Sequence, residues 1–161
     1  MKRGEIVVFA IMGLVVAGVM VRNAMHARTE APDPGIPYYS TATENLTVRG
    51  SAIYHREGCK SCHSLWTVRN MMETVPAPAL DGIGSLRDQD WFYRYLSAPN
   101  PQSILPSRMK PEYRMPSYAA LSEDDRRTLS AYLASLKVKD WYLAETRKAE
   151  YEKLTGKEYR P

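Results

Sequence analysis

A chain of 161 residues is long enough for one compact domain with extensions and hardly for two. Its charged residues, 25% of the total, leave a net charge of +4, and the basic ones are spread along the chain with no dense cluster interleaved with aromatics. That pattern excludes nucleic acid as a partner and assigns the surplus to solvated faces.

The apolar residues concentrate near the N-terminus. Residues 6–21, IVVFAIMGLVVAGVMV, run sixteen positions without a charge, after Lys2 and Arg3 and before Arg22. At 1.5 Å per residue this is about 24 Å, short of the ~30 Å hydrocarbon core of a bilayer. Ala24 and Met25 extend the span while Arg22 snorkels to the interface. A cleaved secretory signal has the same charged start and apolar middle, but it needs small residues one and three positions before the cleavage site. The stretch Arg22-Asn23-Ala24-Met25-His26-Ala27 offers no clean pair of that kind. The reading is an uncleaved transmembrane anchor over 1–26, with the lipid bilayer as its surroundings. Within it Gly13 and Ala17 stand four apart and form a small-xxx-small face, suited equally to a partner helix or to lipid.

Residues 27–44, ARTEAPDPGIPYYSTATE, are rich in Pro, Thr, Ser and Gly and lack helical periodicity, so an extended linker is expected there. A first helix is expected over 44–57, with Val48, Ala52, Ile53 and Tyr54 as apolar contacts, Gly50 and Tyr54 on one face, and an end near Gly58.

Next comes Cys59-Lys60-Ser61-Cys62-His63, which holds both cysteines of the chain. Two thiols three positions apart can add to the two vinyl groups of one porphyrin, and the adjacent imidazole then reaches one axial face of the iron. A structural disulfide, a redox dithiol and half a zinc site are the competing readings. Zinc needs a further good ligand, and beyond this motif the chain has only His26 and His55 and no second cysteine pair. A redox dithiol normally opens a helix that follows a strand, and no βαβ pattern surrounds this one. The expectation is one covalent haem c, attached at Cys59 and Cys62 and ligated by His63.

A second helix fits 88–97, with Asp88 as N-cap, Trp91 and Tyr95 on one stripe, Phe92 and Leu96 on the next, and Pro99 and Pro101 as its stop. Electron transfer, as opposed to gas binding, calls for a sixth ligand, and a thioether there raises the potential. Met71, Met72, Met109, Met115 and His55 are the candidates. His55 lies eight residues before His63 in the first helix, badly placed for the opposite face. Met115 is preferred, because Pro116 fixes the backbone beside it and the loop leads directly into a capped helix; Met109 is the reserve. That third helix starts at Ser122 with Asp125, carries Glu123, Asp124 and Asp125 at its positive end, and places Leu129, Tyr132, Leu133 and Leu136 at i, i+3, i+4 and i+7.

No segment alternates with period two for long enough to claim a sheet, so the fold class is all-α, a transmembrane helix followed by a few short helices around haem. A core of this size would be marginal without the cofactor. The Asp and Glu residues fall on helix faces and caps, and no catalytic constellation stands out.

Taken together, Gly50-x-x-x-Tyr54, Cys59-x-x-Cys62-His63, Pro78-x-Leu80, Met115-Pro116-x-Tyr118 and Leu129-x-x-Tyr132-Leu133 resemble a class I cytochrome c domain over 45–137. The resemblance implies that the first and last helices cross at Gly50, Tyr54 and Tyr132. It also implies that the Pro78 carbonyl accepts the Nδ1 proton of His63, a bond that fixes the tautomer, and that Pro78 and Leu80 join the cofactor-binding set. Where that family usually has glycine before the proline, this chain has Ala77. One anchor with one haem domain is further similar to the monohaem subunits of cbb-type terminal oxidases and of nitric oxide reductases. Arg56-Glu57-Gly58-Cys59 and the stretch from Leu96-Ser97-x-Pro99 to Met115 are similar to the oxidase subunit, and the short spacing from His63 to Leu80 to the reductase one.

Because bacteria attach haem covalently outside the cytoplasmic membrane, the haem domain is expected in the periplasm. Residues 138–161 carry Trp141, Tyr142, Tyr151, Leu154 and Tyr159 among mixed charges and are expected as a partly helical tail docked on neighbouring subunits. The expected role is an electron-transfer subunit of a membrane respiratory complex with redox partner proteins. A free-standing tethered carrier and a haem sensor or peroxidase are the alternatives.

Overall fold

The computed structural model describes residues 3–29, 34–66, 68, 75 and 77–160, and the chain divides into two compact units, Met1–Gly35 and Ile36–Pro161. In the first unit, helix α1 (Arg3–Thr29) contains an apolar span, Gly4–Met25, whose 22 residues are exposed all round. At 1.5 Å per residue that span is about 33 Å, enough for a bilayer core. By length and composition it can cross a membrane, and a signal sequence would meet the same description. The helix runs on through Ala27, Arg28 and Thr29, into the stretch expected as linker, since Ala and Arg favour helix.

In the second unit Tyr38–Ser40 is a strand, β1, paired antiparallel with β2 (Leu136–Val138) in the register Tyr38↔Val138, Tyr39↔Lys137 and Ser40↔Leu136. The fold is mostly helical, as the all-α expectation has it, and this two-stranded sheet is an addition to it that ties down the last part of the expected linker. Thr41 N–H donates to Ser135 O at 3.0 Å and Lys139 N–H to Pro37 O at 2.9 Å, extending the pairing at both ends. Strands of three residues are too short to display a period of two.

Helix α2 (Glu44–Arg56) starts where the Thr43 hydroxyl accepts from Leu46 N–H, and the chain turns out of it at Gly58, whose φ of +68° suits glycine. Helix α3 (Gln89–Ser97) is capped by Asp88, which accepts from Trp91 N–H at 2.7 Å. Ser122 likewise caps helix α4 (Glu123–Ser135) through Asp125 N–H at 3.1 Å. Both α2 and α3 pack on α4. The α2–α4 crossing needs Gly50, because a Cβ there would run into the ring of Tyr132. Arg49 and Arg56 of α2 also pair with Asp124 and Asp125 in the first turn of α4, at 2.6 and 2.8 Å. These pairs are solvent-exposed and worth little each. The core consists of Ile53 and Tyr54 from α2, Phe92 and Leu96 from α3, and Leu129, Tyr132 and Leu133 from α4. Leu136 joins that core at 1% exposure from β2, not from a continuing helix.

Residues 143–155 form a regular helix, α5 (Leu143–Thr155), stopped by Gly156 at φ +68°.

Candidate functional site

The turn after α2 bears the two thiols and the imidazole. Gly58 redirects the chain, and Cys59–Ser61 form a single 3₁₀ turn in which Cys62 N–H and His63 N–H both donate to Cys59 O, at 3.2 and 3.0 Å. Cys59, Cys62 and His63 thereby line one cleft of about 1170 Å³, its open mouth included.

His63 is held from two sides. Its Nδ1 lies 2.7 Å from Pro78 O, and since a carbonyl only accepts, Nδ1 carries the proton and Nε2 keeps its lone pair. Tyr54 O–H donates to His63 O at 3.1 Å, and Leu80 N–H donates to the neighbouring Ser64 O at 2.9 Å. Tyr54, Pro78 and Leu80 line the cleft as well, and Ala77 in place of glycine leaves the Pro78 carbonyl within reach of the imidazole.

Met115 lies on the same lining, in the loop between the 3₁₀ turn Pro111–Tyr113 and α4. Gln102 Nε2 donates to its carbonyl at 3.0 Å, and Ser117 O–H donates to Ala98 O at 2.8 Å, so the loop is fastened on both sides of Pro116. Tyr118 follows and places its hydroxyl 4.0 Å from Cys59 Sγ. Burial pushes the Cys59 thiol above its ordinary pKa, so the sulfur is held protonated at neutral pH. Met109 also lines the cleft, with its carbonyl engaged by Arg114 Nε at 2.8 Å. His55 is exposed on α2 and is not part of the lining. Met71 and Met72 lie outside the described residues.

The cleft fits a covalently held haem by its donor chemistry. One wall presents two thiols and an imidazole, the lining also carries thioether sulfurs, and the surface between is apolar, built from Leu80, Ile83, Phe92, Leu96, Leu129 and Leu133. Thioether and imidazole are ordinary axial ligands of haem iron.

Several lining residues escaped the sequence reading. Gln102 gives no signal beyond following a proline. Arg87, Glu150, Lys153 and Leu154 also line the cleft, the last three from α5. Their helical spacing, with Thr146 four residues ahead of Glu150, marks one face, and Thr146 is buried. The segment expected to dock on neighbours thus packs against its own domain along that face, while Trp141 and Tyr151 remain exposed.

A family model described as cytochrome c matches residues 47–137, more than half of the chain, from within α2 to within β2, and so includes the cleft's thiols, imidazole and methionines. No curated protein matches the chain.

Proposed function

Since the chain belongs to the cytochrome c family, and is therefore a haem-based electron carrier with covalently bound haem c, we propose that it passes single electrons through one haem ligated by His63 and Met115. An N-terminal anchor holds the domain to the periplasmic side of a bacterial cytoplasmic membrane, where it serves as the monohaem subunit of a respiratory complex. The observation that carries the ligation is the common lining of Cys59, Cys62, His63 and Met115, with His63 Nδ1 at 2.7 Å from Pro78 O.

Haem bound there supplies a one-electron couple whose potential its axial ligands and surroundings set. The chain supplies the rest. Cys59 and Cys62 would hold the haem covalently through their two thiols. Pro78 O keeps the His63 proton on Nδ1, raises the basicity of Nε2 and holds the ring in one orientation. Gln102 holds the Met115 loop, so the thioether side of the site is kept in place through changes of redox state. The apolar wall excludes water, which disfavours the more charged ferric form.

The test is spectroscopic. His/Met ligation predicts low-spin haem with the thioether-to-iron band at the red end of the ferric spectrum, and high-spin ferric haem would refute it, pointing to a sensor or peroxidase. The anchor and the similarity to oxidase and reductase subunits support the complex-subunit reading. One observation favours a free-standing tethered carrier instead: α5 packs on its own domain and so lends no support to docking. Native purification from membranes separates the two, since co-purifying multispanning subunits are required by the first and excluded by the second.

A further inference from the structure

Helix α5 lies beyond the family match at 137, yet Glu150, Lys153 and Leu154 line the same cleft as Cys59, His63 and Met115. The chain from the end of β2 through α5 is fastened there at several points. Val138 N–H donates to Ser85 Oγ at 3.0 Å, and Val138 and Thr146 both pack on Gly82. Arg87 pairs with Glu150 at 3.2 Å, with side-chain exposures of only 26% and 15%. Arg108 Nε donates to Lys153 O at 3.3 Å, and the Arg108 side chain lies against Gly156. The Arg87 guanidinium in turn sits over the Trp91 ring, 5.1 Å from its centroid.

A carboxylate in a mostly apolar wall is costly unless paired, and Arg87 pairs this one. Among the described residues of the lining the cations are Arg87, Arg108, Arg114 and Lys153, against the single carboxylate of Glu150. We propose that α5 is part of the cofactor-binding site and that Glu150, held in place by Arg87, is a positioning residue that lowers the reduction potential of the haem. The inference rests on the cleft being the haem site. A negative charge in the wall stabilises the ferric state, which carries one more positive charge than the ferrous. At the effective dielectric near 20 of such sites, a unit charge about 12–25 Å from the redox centre moves a one-electron equilibrium by roughly three- to tenfold.

Optical redox titration of the full haem-loaded chain in detergent, at neutral pH and fixed ionic strength, tests this. E150Q keeps shape and removes charge. Poised at the wild-type midpoint, it is expected to be three- to tenfold more reduced than oxidised, tenfold being about 59 mV for one electron. The thioether band should be retained. E150D keeps the charge and is expected to restore a near-wild-type midpoint, and E145Q, at an exposed carboxylate of the same helix, should leave it unmoved. An E150Q midpoint equal to that of E145Q, or lower than wild type, overturns the role of Glu150 while leaving the haem site intact. Wild-type protein without covalent haem overturns the site and this inference together.

Discussion

Replacing Gln102 with Leu removes a polar head while keeping most of the side chain's volume. The structure gives the Gln102 side chain one described partner, the Met115 carbonyl at 3.0 Å, with both residues half-buried. A neutral bond of this kind contributes about 0.5–1.5 kcal/mol net. Water can reach part of the exposed carbonyl, so the lower half of that range is expected, about two- to fivefold in the equilibrium between a seated and an unseated Met115 loop. Imidazole binding to ferric haem reads this equilibrium directly, because imidazole must displace the thioether. Titrated into the full chain in detergent, it should bind Q102L about two- to fivefold more tightly than wild type. The α2–α4 crossing lies elsewhere, so the melting temperature should fall only slightly. Equal affinity in the two proteins would refute the view that Gln102 holds the loop, whatever happens to stability.

Met115→Ala should abolish the thioether band and lower the midpoint potential, whereas Met109→Leu should keep both; the reverse pattern would move the ligand to Met109. Gly50→Val forces a branched side chain into the Tyr132 ring and should cost about 1–3 kcal/mol by overpacking, seen as a drop of several degrees in the melting temperature; an unchanged melt would refute the close crossing. Tyr38 has its hydroxyl pKa pushed up to about 12, first by burial and then by Tyr142 beside it. Since the folded state holds this proton longer than the unfolded chain, the contribution is complete below pH ~10 and is lost as pH rises through about 12. Alkaline denaturation curves should therefore show Tyr38→Phe losing less stability than wild type in that window, and identical curves would count against it.

What could be read from the residues was local. Asp88 and Ser122 are capping residues whose partners lie three positions on, Gly58 stands where the chain must turn, and Cys59 to His63 bring their chemistry within five residues. Gly50 and Tyr132 were legible only through resemblance to a known domain, because nothing local announces that two helices cross there. The rest depends on partners far along the chain. Tyr38–Ser40 becomes a strand only because Leu136–Val138 lies beside it, and the apolar stripe of α4 reads on to Leu136 although the helix stops at Ser135. Lys137 between two buried neighbours is the alternation that marked the change, three residues long. The aromatics of the final segment and Leu154 drew attention outward to partners, while Glu150 and Lys153, which line the cleft beside Leu154, are two among the segment's mixed charges.

The central claim is that Cys59, Cys62, His63 and Met115 hold one haem. Intact-mass spectrometry of the purified chain, made in cells that mature c-type cytochromes, tests it most directly when paired with the ferric spectrum. The wild-type chain should carry the added mass of one haem through denaturation and show the thioether band, and a Cys59→Ala, Cys62→Ala double variant should lose the covalent mass. A wild-type chain of unmodified mass, or one whose haem washes out under denaturant, would contradict it.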